Sequence, residues 1–290
     1  MRKTVPVLLF VIMVLTGCAT IKTEDEKVAG VKTAVFDGGE MDYISFGKGE
    51  KTFVILPGLS VHSVMGLSGA VEAAYSVFED EYTVYLFDRK KNIESGYTIR
   101  EMASDTAAAM SSLGLSSSAV FGASQGGMIA IYLASDHPEL VSELILGSTL
   151  SRPNDTFLSV GSEWLKKAEE RDEEGLLESF VDAVYSESTL SLYREPLIAS
   201  NRGITEEEWE RFIILASSCL DYNSYDELGK IKCPVLVIGC EGDRVVTAAS
   251  SREIASALGC EIYIYPSSYG HAVYDEAPDY KERCLGFLKK

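Results

Sequence analysis

Residues 119–127 read AVFGASQGG, and the pattern around them decides the fold of this chain. A short run rich in β-branched and aromatic residues meets a glycine-punctuated turn. Residues 128–134 (MIAIYLA) then continue with helical spacing. This order predicts a buried strand, a sharp turn and a helix. Residues 122–126 fit G-x-S-x-G, the pattern of a nucleophile elbow.

The elbow makes a specific physical demand on its neighbours. Ser124 at the tip of the turn needs a strained backbone, and Gly122 and Gly126 must lack side chains so that strand and helix can close together. The helix that follows points its first N–H groups and the positive end of its dipole at the turn, where an oxyanion would be stabilised. A glycine-rich turn without function looks similar in sequence, so the assignment depends on partners elsewhere in the chain.

Length and charge limit the possible functions. The 290 residues suffice for one large α/β domain or two small ones, with a substantial core. The formal net charge of -18 disfavours nucleic-acid binding, and it disfavours adhesion to an anionic membrane through surface charge.

The N-terminus has the layout of a secretory signal. A basic start is followed by an apolar segment, residues 5–15, and then by the sequence LTGC ending at Cys18. These four residues resemble a bacterial lipobox, which predicts removal of residues 1–17 and lipidation of Cys18. Residues 18–30 would then form a polar tether, and the protein would be exported and lipid-anchored in the bacterial cell envelope. An ordinary signal peptide and an N-terminal membrane anchor are the alternatives.

Strand and helix patterns alternate through residues 31–149 and 228–290, which predicts a mostly parallel sheet covered on both faces. Residues 150–227 contain no convincing strand and read as four amphipathic helices with acidic faces, so we expect a helical insertion after the sixth strand. Besides the elbow strand, the predicted strands are residues 31–36, 41–46, 51–56, 82–87, 142–147, 234–239 and 261–265. Besides the elbow helix, the predicted helices are residues 98–113, 157–171, 173–186, 189–201, 205–220, 247–258 and 275–288.

Five cysteines follow Cys18, and their spacing includes no C-x-x-C pair. The odd number and the spacing argue against a metal site. Export would permit one disulfide, while a buried free thiol is favoured for Cys240, which follows an apolar strand. The five are Cys219, Cys233, Cys240, Cys260 and Cys284.

An activated serine needs a base and an orienting carboxylate. Of three histidines, His271 lies in a small-residue loop after the last strand, where the carboxyl edge of a sheet would present it. His62 could line the site or be a solvated loop residue, and His137 is better explained as structural. Asp243 is the candidate acid because it directly follows a buried strand.

With Ser124, Asp243 and His271 in that order, the chain resembles the α/β-hydrolases. Residues 239–246 resemble the acid loop of that family, and residues 270–278 resemble its histidine loop. Residues 56–59 (LPGL) stand in the place of its oxyanion loop, with proline where histidine is common. The usual turn after the fourth strand is reduced to residues 88–91 (DRKK).

The resemblance implies a role for each residue. Ser124 would attack a carbonyl carbon, His271 would take and return its proton, and Asp243 would hold His271 in the productive tautomer. The backbone N–H groups of Leu59 and Gln125 would form the oxyanion hole. No metal or organic cofactor is implied, and the partner is a small-molecule substrate.

The serine nucleophile favours acyl transfer to water, and we expect hydrolysis of a small to medium carboxylic ester through an acyl-enzyme on Ser124. An aminopeptidase-like or carbon–carbon bond hydrolase on the same triad is one alternative, and a non-catalytic binding protein of this fold is another. Aromatic residues of the insertion could line an apolar pocket or simply pack its helices. These are Phe157, Trp164, Phe180, Tyr185, Tyr193 and Phe212.

Overall fold

The computed structural model describes residues 30–290. The predicted signal peptide, Cys18 and nearly all of the predicted tether lie outside these residues. Within the described part, no helix is both long and apolar enough to cross a membrane.

The centre of the molecule is one eight-stranded sheet in the order β1-β2-β4-β3-β5-β6-β7-β8. The first two strands form an antiparallel hairpin, β2 pairs antiparallel with β4, and all the remaining pairs are parallel. This confirms the predicted mostly parallel sheet. The strands are β1 (Lys32–Phe36), β2 (Gly39–Phe46), β3 (Lys51–Leu56), β4 (Tyr82–Lys90), β5 (Ser118–Ala123), β6 (Val141–Gly147), β7 (Val235–Cys240) and β8 (Glu261–Tyr265).

Helices cover both faces of the sheet. The helices are α1 (Ser68–Tyr75), α2 (Ile99–Ser112), α3 (Gln125–Asp136), α4 (Asp155–Glu169), α5 (Glu173–Val184), α6 (Glu187–Ala199), α7 (Glu206–Leu220), α8 (Thr247–Leu258), α9 (Val273–Glu276) and α10 (Tyr280–Leu288). Successive residues of β3 point to opposite faces: Val54 packs into the core under α2, α3 and α8, and Phe53 into the core under α1 and α10. Both faces are buried, which explains the continuous apolar run of this strand.

The insertion after β6 consists of α4 to α7, as the sequence predicts. Each of these helices begins at a polar residue whose side chain accepts a hydrogen bond from a backbone N–H in the first turn. These N-cap residues are Asn154, Asp172, Ser186 and Thr205. We call residues 150–227 the cap.

Three of the six cap aromatic residues named from the sequence pack against one another. The rings of Trp164 and Phe180 are 4.6 Å apart, and Phe212 is fully buried beside Phe180. For these three side chains the packing interpretation therefore holds, because their rings contact one another.

Two local predictions differ from the structure. The predicted closing helix over residues 275–288 is two helices, α9 and α10, because Pro278 cannot continue the first and the chain turns at residues 277–279. Helix α1 was not predicted, since its sequence, SGAVEAAY, consists mainly of small residues with weak periodicity.

Candidate active site

Ser124 occupies a sharp turn between β5 and α3. Its backbone has φ 52° and ψ −119°, a conformation that a residue with a side chain adopts only at a cost. Two neighbours hold it there: the N–H of Ser124 donates to Gly147 O at 2.9 Å, and Thr149 Oγ1 donates to Ser124 O at 2.7 Å. Hydrogen bonds to its N–H and to its C=O therefore hold the strained backbone of Ser124 in place.

The two motif glycines are required by close backbone contacts. A Cβ on Gly122 would lie 2.4 Å from Gly126 O, and a Cβ on Gly126 would lie 1.9 Å from Leu56 O. Strand β5, helix α3 and the segment after β3 can approach each other this closely only because these two positions have no side chain. Any larger residue would push the elbow out of position.

Asp243 and His271 form a buried pair. His271 Nδ1 lies 2.9 Å from Asp243 Oδ2, and the two residues are 3% and 6% exposed. The other carboxylate oxygen accepts from the N–H groups of Val245 and Val246 at 2.8 and 2.9 Å. Burial alone would raise the pKa of Asp243, but His271 and these two donors outweigh it and hold that pKa below its usual range. An ionised Asp243 keeps the proton of neutral His271 on Nδ1, which leaves Nε2 free to act as a base.

Ser124, Asp243 and His271 follow the ends of β5, β7 and β8, and these parallel strands end at the same edge of the sheet. The structure joins Asp243 to His271 by a hydrogen bond, whereas among residues 30–290 no such bond joins Ser124 Oγ to His271. Bonds between nucleophile and base are often long without substrate and tighten when it binds.

The segment after β3 passes directly over the nucleophile. A Cβ on Gly58 would lie 3.3 Å from Ser124 Cβ and 3.8 Å from Ser124 Oγ. The next residue is Leu59, and Gln125 is the first residue of α3. Within the described chain, neither the Leu59 N–H nor the Gln125 N–H donates to another group. Both donors are thus available to a ligand.

The loop that carries His271 is bound to the cap. The buried carboxylate of Glu276 accepts from Gly270 N–H at 2.6 Å and from Ser186 N–H at 2.8 Å. Ala272 N–H donates to Val184 O at 3.0 Å. A Cβ on Gly270 would lie only 2.7 Å from backbone atoms of residues 184–186, so glycine permits this contact. The sequence placed Glu276 in the segment that resembles the histidine loop of the family, but it did not indicate this contact with the cap.

The family is decided by a model of the alpha/beta hydrolase fold, which matches residues 51–278. The chain belongs to the α/β-hydrolase family. The uncharacterized hydrolase YcgS of Bacillus subtilis is 25% identical over 283 residues, covering 89% of this chain and 98% of that protein. The putative carbamate hydrolase RutD of Caulobacter is 25% identical over 232 residues, covering 71% of this chain and 81% of its own.

Solved structures agree on the fold. MGS-M2, an alpha/beta hydrolase enzyme from a Medee basin deep-sea metagenome library, has a TM-score of 0.79 at 20% identity and covers 89% of this chain and 98% of its own. The enol-lactonase from Burkholderia xenovorans LB400 has a TM-score of 0.76 at 18% identity and covers 89% of this chain and all of its own. At these identities the likeness shows the fold alone.

This α/β-hydrolase departs from its family pattern at the end of β4, where Arg89 is buried. Its Nε and Nη2 atoms donate to Gln125 Oε1 at 3.2 and 3.0 Å, and Nη2 also donates to Pro57 O at 2.5 Å. Gln125 in turn donates from Nε2 to Leu215 O on cap helix α7 at 2.9 Å. Burial lowers the pKa of Arg89 to about 10, with Asp88 acting in the opposite direction, so the guanidinium stays charged near neutral pH.

Asp88 connects the same edge of the sheet to the cap. Its carboxylate accepts from Arg89 N–H at 2.7 Å, from Arg211 Nη2 of α7 at 2.8 Å and from the Ser63 hydroxyl. Burial works to raise the pKa of Asp88, but Arg211 and these donors hold it below its usual range. The sequence showed residues 88–91 only as a departure from the family turn. The partner at position 211 is 123 positions away and left no local signal.

The two remaining histidines make contacts away from Ser124 and Asp243. His62 Nδ1 lies 2.7 Å from Glu208 Oε1, and Nε2 lies 3.0 Å from Asn201 O, so His62 fastens the loop after β3 to the cap. His137 lies at the end of α3, with Nδ1 3.8 Å from Glu139. Neither contacts Ser124 or Asp243 in the described structure.

Two cavities lie away from the site. One, of about 570 Å³, is lined by residues 38–40, 90–97 and 101, and the other, of about 320 Å³, lies between β7, α8 and α10. Across residues 30–290, no group of three or more His, Cys, Asp or Glu side chains could hold a metal ion, and none of the five cysteines is disulfide-bonded.

Proposed function

We propose that this α/β-hydrolase cleaves a small to medium carboxylic ester through an acyl-enzyme on Ser124. The observation that carries the proposal is the buried Asp243–His271 pair, located at the sheet edge where the strained Ser124 follows β5. A buried imidazole that is bonded to an ionised carboxylate through Nδ1 has its Nε2 lone pair free to accept a proton.

In the first half-reaction, Ser124 Oγ attacks the ester carbonyl carbon while its proton passes to His271 Nε2. The carbonyl oxygen gains a negative charge and accepts hydrogen bonds from Leu59 N–H and Gln125 N–H. Removing one such donor typically costs about 3 kcal/mol of transition-state stabilisation. The intermediate collapses, the bond to the alcohol oxygen breaks, and His271 gives the proton to the departing alkoxide.

In the second half-reaction, water replaces the alcohol. His271 Nε2 takes a proton from the attacking water, whose oxygen bonds to the acyl carbon. The tetrahedral intermediate expels Ser124 Oγ, which recovers its proton from His271. The acid leaves, and enzyme and imidazole return to their starting states. Asp243 stays ionised throughout and stabilises the transient imidazolium.

The second candidate is cleavage of an amide-type bond, either by an aminopeptidase-like reaction or on a carbamate. It is favoured by the 25% identity to the protein named a putative carbamate hydrolase. The same residues serve this reaction, with nitrogen as the leaving atom. A carbon–carbon bond hydrolase has no comparable support, and neither has a binding protein without turnover.

A fluorophosphonate probe on the purified protein tests the proposal. Stoichiometric labelling that is lost in Ser124→Ala, together with hydrolysis of short p-nitrophenyl esters, is the expected result. Well-folded protein that fails to react would contradict it. Faster turnover of aminoacyl-arylamides or aryl carbamates than of esters would favour the second candidate.

We also propose that the protein is exported and held in the bacterial cell envelope by a lipid on Cys18. The support is the LTGC sequence that ends the N-terminal apolar segment. The mass of the natively expressed protein tests this. A diacylated chain that begins at Cys18 is expected, and an unmodified chain from Met1 to Lys290 would contradict it.

A further inference from the structure

Arg89 stands between the two backbone segments that carry the candidate oxyanion donors. One of its nitrogens, Nη2, donates both to Pro57 O and to Gln125 Oε1, and Nε donates a second hydrogen bond to Gln125 Oε1. The side chain is 5% exposed, so water does not compete for these contacts. One planar group therefore connects the loop after β3 to the first residue of α3.

The contact to Pro57 fixes the start of the loop. Each peptide unit is planar, so holding the Pro57 carbonyl oxygen also orients the N–H of Gly58, and the proline ring restricts the preceding torsion. The Leu59 N–H belongs to the next peptide unit, which is separated from this one only by the two backbone torsions of Gly58. Gly58 itself lies against Ser124, so a small rotation of the Pro57 carbonyl would move the donor relative to the nucleophile.

The contact to Gln125 fixes the other donor. Gln125 is the first residue of α3, and its own backbone N–H is the second candidate donor. Its side-chain amide is held at both ends, because Oε1 accepts from Arg89 and Nε2 donates to Leu215 O. The residue is 1% exposed and has no freedom to turn away without breaking these bonds.

A lysine at position 89 could not reproduce this arrangement. The guanidinium presents several N–H donors in a rigid plane, and two of its nitrogens here serve two acceptors from different segments. A lysine ammonium is a point donor on a flexible stem. It could approach Pro57 O or Gln125 Oε1, but it would not fix the angle between them.

We propose that Arg89 is a positioning residue that sets the distance between the two oxyanion donors by binding Pro57 and Gln125 together. The inference rests on the proposed function, because it assigns those donors to a reacting carbonyl. It requires no contact between Arg89 and the substrate. Binding of the uncharged ground-state ester thus depends little on Arg89, whereas stabilisation of the negatively charged intermediate depends on it strongly.

The test compares Arg89→Lys and Arg89→Met with wild type on a p-nitrophenyl ester. Active sites are counted by fluorophosphonate labelling, so that kcat is expressed per reactive serine. We expect kcat to fall about 10- to 100-fold with KM nearly unchanged. The affinity for a trifluoromethyl ketone, whose adduct with Ser124 carries an oxyanion, should fall in proportion to kcat.

Gln125→Met provides a second route if the Arg89 variants fold poorly. It keeps the backbone N–H of position 125 and removes only the side-chain anchor. We expect a similar loss of kcat and of ketone affinity, and a double variant with Arg89→Lys should lose little more than either single variant, because both changes break the same connection.

Arg211→Met is the matched control. Arg211 is a neighbouring arginine that binds Asp88, but it donates to neither Pro57 nor Gln125. It should lower stability and leave kcat per labelled serine within about threefold of wild type. The inference is overturned if Arg89→Lys and Gln125→Met keep wild-type kcat and ketone affinity, or if their losses equal those of Arg211→Met. A wild-type protein without Ser124-dependent turnover would instead contradict the proposed function, and the wild-type arm alone reveals that outcome.

Discussion

The cap is joined to the sheet along two seams that use different chemistry. The histidine seam connects the loops of Asp243 and His271 to residues 182–187, and the oxyanion seam connects the loop after β3 and the end of β4 to helix α7. In the histidine seam, the core side chains of Glu276 and Arg244 bind mainly backbone atoms of the cap, and Arg244 adds one exposed ion pair to Glu187. In the oxyanion seam, core side chains face charged cap side chains in the pairs His62–Glu208 and Asp88–Arg211, beside contacts to the backbone oxygens of Asn201 and Leu215.

The two seams therefore depend on different residues to hold the cap against the sheet. Backbone atoms are present whatever the cap sequence, so the histidine seam depends mainly on the residues of the core. The oxyanion seam depends on cap side chains spaced three apart on α7, at positions 208 and 211, and on their charges. Substitutions of cap side chains should therefore weaken the attachment of the cap at the oxyanion seam first, whereas the histidine seam should respond mainly to changes in its own loops.

The largest effect is expected for Asp243→Asn, on the histidine side. The asparagine amide can still accept from Val245 and Val246, but its NH₂ group would donate to His271 Nδ1 and move the ring proton to Nε2. That tautomer cannot take the proton of Ser124. We expect kcat to fall by about 10³ to 10⁴. Glu241→Gln, at an exposed position of the same loop, is the control, and comparable rates in the two variants would mean that another carboxylate orients His271.

A smaller effect is expected for Glu276→Gln, which breaks the histidine seam without touching the triad. A glutamine keeps one acceptor oxygen, so either Gly270 N–H or Ser186 N–H is left facing an NH₂ group. An unsatisfied buried donor typically costs about 2 kcal/mol. The free energy of unfolding by urea should fall by about that amount, and kcat should fall with it. The exposed Glu282→Gln should change neither. A Glu276→Gln protein as stable as wild type would show that the seam does not hold the loop.

Arg211→Met tests the oxyanion seam through pH. Breaking this partly buried ion pair leaves Asp88 with only the Ser63 hydroxyl and the Arg89 N–H as donors, which should cost about 3 kcal/mol of unfolding free energy near neutral pH. In wild type the pKa of Asp88 is lower in the folded than in the unfolded state. Its contribution to stability is therefore complete above the unfolded-state pKa and is lost as the pH falls through the folded-state pKa. Without Arg211, burial would raise that pKa, and protonation would relieve the buried charge.

The difference in stability between wild type and Arg211→Met should therefore shrink as the pH falls from about 7 to about 4. Urea unfolding at both pH values measures it. Arg252→Met, at a half-exposed pair with Glu241, should cost less than about 1 kcal/mol. If the loss of unfolding free energy in Arg211→Met stays constant over this pH range, Asp88 is not its source.

The smallest effect, on the free energy of unfolding, is expected for His62→Ala. The pair with Glu208 is partly exposed, with side-chain accessibilities of 30% and 27%, so water screens it. At about pH 5, where an imidazole is normally protonated, we expect a loss of about 1 kcal/mol of unfolding free energy at low salt and a clearly smaller loss in about 1 M NaCl. His137→Ala, at a comparable exposure but 3.8 Å from Glu139, should have no measurable effect. A salt-independent loss at His62 would place its contribution in packing instead of charge.

The sequence predicted the parts of the fold that leave a local or periodic signal. All eight strands and the cap helices follow from apolar periodicity and from the turn residues between them. The elbow was recognisable because its glycines and Ser124 lie within five positions. Asp243 and His271 were found by their places after successive strands.

The contacts that make up the oxyanion seam could not be predicted in the same way. Gln125 and Leu215 are 90 positions apart, and Asp88 and Arg211 are 123 apart, so only the folded chain brings them together. Arg89 was visible only as a residue in an unusual turn, because nothing in one sequence tells a buried guanidinium from a solvated one. The break at Pro278 could have been seen, since proline interrupts a helix.

The most direct measurement of the central claim is the mass of the covalent intermediate. The protein is mixed with a p-nitrophenyl ester, quenched in acid during turnover, digested and analysed by mass spectrometry. We predict an acyl group on the peptide that contains Ser124, absent in Ser124→Ala and accumulating when deacylation is slow. Turnover that persists in Ser124→Ala, or an acyl group found on another residue instead, would contradict the account.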